Sequence, residues 1–111
     1  MTTPTLGALE LTVLLAVVRL GDDAHGLAIR SDVSDRMRHD YSVGAIYTTL
    51  QRLEDKGFVT SFKTEPLPQR GGRSRRQFKV SGSGERALGA AQRVAASVWD
   101  GVRTTIRPKH A

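Results

Sequence analysis

Four arginines within seven residues, Arg70-Gly71-Gly72-Arg73-Ser74-Arg75-Arg76, form a glycine-broken basic loop whose guanidinium groups are suited to gripping phosphate oxygens. Residues 63–79 hold six basic side chains (Lys63, Arg70, Arg73, Arg75, Arg76 and Lys79) against the single acid Glu65, and so carry five of the six net positive charges of the chain. The flanks differ. Residues 1–62 have six basic residues against eight acidic ones, and residues 80–111 have five against two. The charge is therefore a patch, the arrangement that attracts and holds a polyanion. A solvated hairpin tip or a disordered basic loop would have the same composition, so the neighbouring elements must decide.

Other chemistries find little support. There is no cysteine, hence no disulfide framework and no thiolate metal site, and His25, His39 and His110 are too far apart in sequence to suggest a ligand cluster. No nucleophile, base and orienting group come together, so neither an enzyme nor a cofactor is expected. A chain of 111 residues can build one modest core, and a binding module is the natural expectation. Glu10 and Arg19 interrupt the apolar N-terminal run, and no basic segment precedes it. The expectation is a cytoplasmic protein with no spanning helix and no signal peptide.

The elements that would position the basic loop can be read from periodicity. Leu6, Leu9, Val13, Ala16, Val17 and Leu20 recur at helical spacing, Leu11, Leu14, Leu15 and Val18 fill much of the remaining face, and Gly21 ends the run. A helix apolar nearly all round needs cover on more than one flank, from its own domain or from a second copy. After Gly21-Asp22-Asp23, a second helix is expected from His25 to Met37, with Leu27, Ile29, Val33 and Met37 as its apolar positions. A third follows between the N-cap Ser42 and the terminating Gly57, with Ile46, Leu50 and Leu53 turned to the core. Next come Phe58, Thr60 and Phe62 alternating with Val59, Ser61 and Lys63, and after the basic loop Arg76, Phe78 and Val80 alternating with Arg75, Gln77 and Lys79. These are two strands of an antiparallel hairpin. The fold class expected is mainly α with a small β-hairpin: a winged helix-turn-helix plus a long C-terminal helix.

In that order the third helix can enter a major groove while the hairpin tip lies on flanking backbone. Its outer face would offer Ser42, Ala45, Tyr47, Thr48, Gln51 and Arg52. Gly44 and Ala45 permit close approach, Thr48 and Gln51 can bond base edges or backbone, and Tyr47 and Arg52 can reach phosphates. Lys63, Arg70, Arg73, Arg75 and Arg76 would form the wing contacts.

These residues resemble the PadR-like winged-helix transcriptional regulators. The likeness is carried by Leu9-Glu10 and the apolar run to Leu20-Gly21-Asp22, by Gly26, by the string from Ser42 to Glu54, by Lys56-Gly57 and by residues 70–84. It spans about three quarters of the chain, and the Gly-x-x-Tyr-x-x-Leu-x-x-Leu-Glu string is its most specific part. The resemblance implies a repressor that binds double-stranded DNA as a homodimer on a palindromic operator, often released by a small-molecule effector. It makes Tyr47 the tyrosine of the recognition helix and places Ser42, Ala45 and Thr48 at its DNA-facing start. Three positions depart from the pattern, one of them Ser81, which stands where the family has Thr. His25-Gly26 stands where the family has Tyr-Gly, which weakens the case for a phosphate contact from His25. Phe78 stands where a tyrosine is frequent, keeping the packing without the hydroxyl.

The remaining chain divides the molecule into a DNA-binding part, residues 1–82, a C-terminal dimerisation helix, residues 83–107, and a disordered tail, residues 108–111. A helix from Gly84 to about Arg107, capped by Ser81 or Ser83, would place Leu88, Ala91, Ala95, Val98, Val102 and Thr105 on one seam. About 23 residues at ~1.5 Å each give roughly 34 Å, more than a small winged core can cover. Together with Leu6, Leu9 and Trp99, this seam is the expected dimer interface, and the alternative is a helix folded back on its own domain. Trp99, the only tryptophan, is either a packing anchor or the wall of an effector pocket. The competing function is that of a non-sensing architectural or protein-partner-binding winged helix.

Overall fold

The computed structural model describes residues 6–64 and 75–102. Its elements follow in the order α1 (Ala8–Leu20), a short 3-10 turn (Gly21–Asp23), α2 (Gly26–Met37), α3 (Val43–Asp55), β1 (Val59–Lys63), β2 (Arg76–Val80) and α4 (Gly82–Trp99). This is the winged-helix order, with the hairpin as the wing.

Local chemistry explains the boundaries. The Gly7 amide donates to the Glu10 carboxylate at 2.7 Å, which turns the first residues of α1 into its own cap. Ser42 accepts from the Ala45 amide at 3.1 Å to start α3, and Ser81 accepts from the Gly84 amide at 3.0 Å to start α4. At the far end of α3, Gly57 takes φ 79°, a conformation that releases the chain toward the wing.

Helix α1 is the centre of the molecule. Its Val13, Leu14, Ala16 and Val17 are buried against Ile29 and Val33 of α2, Ile46, Leu50 and Leu53 of α3, and Phe58, Val59 and Phe78 from the hairpin. Each such aliphatic side chain contributes about 1.5–3 kcal/mol when fully buried. Thr49 is buried as well, and its hydroxyl donates to the Ala45 carbonyl at 2.8 Å. Two sets of ions fix the helices relative to one another. Lys56 at the end of α3 meets Glu10 of α1 at 2.8 Å, and Asp32 of α2 lies between Arg19 of α1 and Arg36. Burial alone would raise the Glu10 pKa, but Lys56, the Gly7 amide and Arg52 together hold it below its usual value. Hydrogen bonding to Arg19 holds Asp32 down against its own desolvation.

The hairpin is antiparallel, with Val59 opposite Val80, Ser61 opposite Phe78 and Lys63 opposite Arg76 on one face. Thr60 with Lys79 and Phe62 with Gln77 form the other. An isolated two-stranded hairpin is marginal in water. Here β2 is also fastened to the segment before α2: the Phe78 amide donates to the Ala24 carbonyl at 2.8 Å, and His25 bridges Gln77.

Several sequence expectations need correction. In α2, only Ile29 and Val33 of the four apolar positions are in the core; Leu27 and Met37 are exposed, because α1 and α3 cover a single narrow side of this helix. Phe58 precedes β1, held by its amide on the Leu53 carbonyl at 2.9 Å, so the inward strand position is Val59 while Phe62 faces outward. The C-terminal helix starts at Gly82 under Ser81 and ends at Trp99, well short of Arg107. Asp100 leaves the helical conformation (φ −58°, ψ 129°) and Gly101 takes φ 77°, a turn that stops the helix and that the apolar spacing running on to Val102 concealed. Val102 sits in the following turn, its amide on the Trp99 carbonyl at 3.0 Å. Thr105, the expected helix beyond residue 102 and the tail at 108–111 lie outside the described residues.

Candidate nucleic-acid interface

Helix α3 turns a polar face to solvent. Ser42, Tyr47, Thr48, Gln51 and Arg52 are exposed and Ala45 is half-buried, all opposite the buried stripe of Ile46, Leu50 and Leu53. At 100° per residue, Gly44, Thr48 and Gln51 form the centre of the outward face. Tyr47 lies on the flank toward the wing, where it shares a cleft with Arg76 and Phe78. Arg52 lies on the opposite flank, where its charge acts on Glu10 of α1. Gln51 donates to Asp55 at 3.0 Å, which holds its amide across the last turns of the helix.

The start of α3 is fixed from behind by Arg30, a residue that sequence reasoning passed over. Its Nε donates to the Tyr41 carbonyl at 2.6 Å and its Nη2 to Asp40 at 3.0 Å, while the Tyr41 amide donates to the Ser34 hydroxyl at 3.1 Å. These bonds fasten the α2–α3 turn to α2, so the exposed N-terminal end of α3 is held rigid. Val43 was also missed. It is 41% exposed on the first turn, an apolar contact of the kind a thymine methyl accepts. Neither residue carries a local sequence signal, since one arginine and one valine are unremarkable in a helix.

Gly26 and Tyr47 form the least legible contact. Gly26 is buried at the first position of α2, and a β-carbon there would collide with the Tyr47 hydroxyl and ring. The glycine that weakens α2 in propensity terms is therefore what lets the tyrosine of α3 lie across the start of α2. This contact leaves Tyr47 only 40% exposed and gives its ring a defined position beside the wing.

At the base of the wing, strand alternation sends neighbouring arginines to opposite faces. Arg76 donates to the Ser61 hydroxyl at 2.7 Å on the face toward α3. Arg75 lies 3.2 Å from His25 Nε2, so the histidine at the N-terminus of α2 serves as the arginine's neighbour. Lys63 is exposed across from Arg76. Arg70 and Arg73 lie outside the described residues. Lys63 and Arg76 thus share the hairpin face toward Tyr47 and α3, and Arg75 lies beside His25 at the entry of α2.

Residues 14–90 match the transcriptional regulator PadR-like family. The chain belongs to that family. Being a PadR-like transcriptional regulator, it is a DNA-binding protein and not an enzyme. Solved structures give the same fold. A PadR-like transcription factor from Bacteroides fragilis is 22% identical with a TM-score of 0.69, covering 88% of this chain and 89% of that one. RosR from H. salinarum is 21% identical with a TM-score of 0.66, covering 90% and 83%. A Streptococcus transcriptional regulator is 19% identical with a TM-score of 0.64, covering 87% and 93%. The comparison with curated proteins gives no match.

The expected dimer surface is divided by the structure. Leu6, Leu9 and Leu88 are half-buried against the chain's own core and Ala91 is half-buried beside them, so the first half of α4 folds back on its own domain. Ala95, Val98 and Trp99 are exposed, Val98 to 70% and Trp99 to 58%. Trp99 is therefore not a packing anchor within a single chain. Among the described residues, no helix is long and apolar enough to cross a membrane, and no group of acidic or histidine side chains could hold a metal ion.

Proposed function

We propose that this PadR-like regulator is a homodimeric repressor that occupies a palindromic operator, with α3 reading the major groove and the wing gripping backbone. The observation that carries the proposal is the alignment of an exposed polar helix face with cations at the wing base, each cation braced by a different element. Thr48 and Gln51, with Ser42 and Ala45 at the helix start, supply sequence preference. Lys63, Arg70, Arg73, Arg75 and Arg76 supply affinity, with Tyr47, Arg52 and His25 as backbone contacts.

Dimerisation is supported by the exposed Val94, Val98 and Trp99 on one side of the end of α4, large side chains that a monomer leaves in water. Pairing of these faces would place two α3 helices on half-sites about 34 Å apart, one DNA turn. The work is then shared between a DNA-binding part, residues 1–82, and a dimerisation part from residue 83 onward, which holds all of α4 but its first residue. Trp99 at such an interface is also the natural wall for a small-molecule effector that releases the operator. The protein would act in the cytoplasm, where the DNA is.

Selection of bound duplexes from a random pool tests this function. A palindrome is expected, with Thr48→Ala or Gln51→Ala changing its preferred bases. Equal affinity for selected and random duplexes at physiological salt would leave only a non-specific architectural binder. Sedimentation equilibrium at micromolar concentration should give twice the 12.1 kDa chain mass; monomer alone would remove the dimer.

A further inference from the structure

Behind Arg76 lies a chain of hydrogen bonds that the DNA-binding reading does not use. The Arg76 guanidinium donates through Nη1 to Ser61 Oγ at 2.7 Å, and the Ser61 hydroxyl lies 3.1 Å from both carboxylate oxygens of Glu54. The order of donors is unambiguous: the guanidinium can only donate and the carboxylate only accept, so the hydroxyl passes the polarisation from one to the other. Such a relay joins three elements, since Arg76 opens β2, Ser61 is on β1 and Glu54 is on the last turns of α3.

The geometry is not what strand pairing alone would give. In the hairpin register Arg76 faces Lys63, and like charges directly opposite each other repel. A free arginine at that position would extend into water, away from Lys63. Instead it leans diagonally to Ser61, whose own partner across the ladder is Phe78. That lean sets its charge at the edge of the cleft between α3 and β2, a space of about 490 Å³ lined by Tyr47, Leu50, Gln51, Glu54, Arg76 and Phe78. Ser61 and Glu54 are half-buried, whereas Arg76 itself is exposed. The anchor is inside and the cation is at the mouth.

We propose that Ser61 and Glu54 are positioning residues for DNA binding: they hold Arg76 at the mouth of the α3–wing cleft, aimed at a phosphate on the groove edge that α3 enters. Arg75, turned the other way toward His25, addresses a different phosphate. Every member of the relay belongs to the chain itself, so the ordering of a long, rotamer-rich side chain does not have to be supplied by the duplex, and binding is tighter by that amount. The inference rests on the DNA-binding reading of the wing.

A double-mutant cycle between Ser61 and Arg76 tests it, with a random-sequence duplex of about 30 base pairs as the probe, because the contact is to backbone. Ser61→Ala is expected to weaken binding about three- to ten-fold, the cost of ordering one long side chain. Its salt dependence should stay that of the wild type, since Arg76 still reaches its phosphate. In an Arg76→Ala background the same Ser61→Ala change should alter affinity by less than about two-fold. Ser61→Thr, which restores a hydroxyl, should recover most of the loss. Equal loss in both backgrounds would mean that Ser61 supports the hairpin and does not act through Arg76. No loss in either would remove the relay from binding altogether. Failure of the wild-type protein to bind the duplex would instead overturn the DNA-binding reading on which the relay depends.

Discussion

Alanine at position 26 should change the sign of its effect according to the residue at position 47. The β-carbon of Gly26→Ala would have three nearest neighbours, the Tyr47 hydroxyl, Cζ and Cε2, with Cε2 at 2.9 Å and the other two nearer still. Carbon atoms pack comfortably at about 3.5–4.0 Å, so the ring must leave its place. Tyr47 is 40% exposed and has solvent to move into, which limits the cost to an unfavourable rotamer of about 0.5–1.5 kcal/mol and about 1 kcal/mol of lost ring burial. Against this, replacing glycine by alanine in a helix recovers up to about 1 kcal/mol of backbone entropy, and less at a first helical position. The single substitution should therefore destabilise by about 1 kcal/mol. With Tyr47→Ala the obstacle is gone, and Gly26→Ala should stabilise by about 0.5 kcal/mol. Urea unfolding of the four proteins would measure a coupling of about 1.5 kcal/mol. Additivity within about 0.5 kcal/mol would refute the contact. Duplex binding supplies an independent readout: Gly26→Ala should weaken it about as far as Tyr47→Ala does, because both take the ring from its place beside the wing.

A harder clash is expected at Gly84, where a β-carbon would meet the backbone carbonyl of Phe58, which cannot swing aside; Gly84→Ala should cost about 1–3 kcal/mol in urea melts. Gly89→Ala, where only the tip of the Arg93 side chain is near at 3.4 Å, should instead stabilise by about 0.5–1 kcal/mol. Arg75→Ala and Arg76→Ala should each weaken binding to all duplexes alike and each reduce the slope of log K against log salt by about one, as fluorescence anisotropy across a salt series would record. The folded-state pKa values of Glu10 and Asp32 lie below their usual 4.5 and 3.8, so the folded chain binds fewer protons than the unfolded one in the acid range. Stability should be fully present above about pH 5 and fall as the pH drops through these depressed values, and Glu10→Gln should flatten that acid limb of the stability curve.

The parts of the fold written in neighbouring residues were legible. Ser42 and Gly57 bracket α3 by capping chemistry, and Ile46, Leu50 and Leu53 fix its inner face, so its outer face followed by subtraction. The wing followed from charge concentrated between two alternating segments. What could not be read depends on residues far apart in sequence. Gly26 and Tyr47 touch only because α2 and α3 cross, and nothing local to either signals the other. Arg30 looks like any surface arginine until the α2–α3 turn brings the Tyr41 carbonyl to it. The end of α4 was misread for a different reason: an apolar seam that continued through Val98 to Val102 outweighed the Asp100-Gly101 stop between them. Helix geometry is decided at each residue, whereas a seam is a pattern, and the pattern survives a break that the backbone does not.

The division of the wing cations has a mechanical consequence. A two-stranded hairpin has little rigidity of its own, yet Arg75 and Arg76 must be held in register with α3 for both to meet backbone when α3 is in the groove. Each is braced by a different helix: Arg75 beside His25 at the start of α2, and Arg76 through Ser61 to Glu54 at the end of α3. The strand that follows them is tied to the entry of α2 by the Phe78 amide on the Ala24 carbonyl and by the bridge between His25 and Gln77. The wing therefore reports the spacing of α2 and α3, and that spacing is set by α1, to which Asp32 of α2 and Lys56 of α3 are both ion-paired. A shift of α1 would therefore move both braces, His25 through α2 and Glu54 through α3. Because α1 also packs against α4, a ligand or a partner chain that moves α4 has a direct physical route to the DNA contacts through elements already in contact.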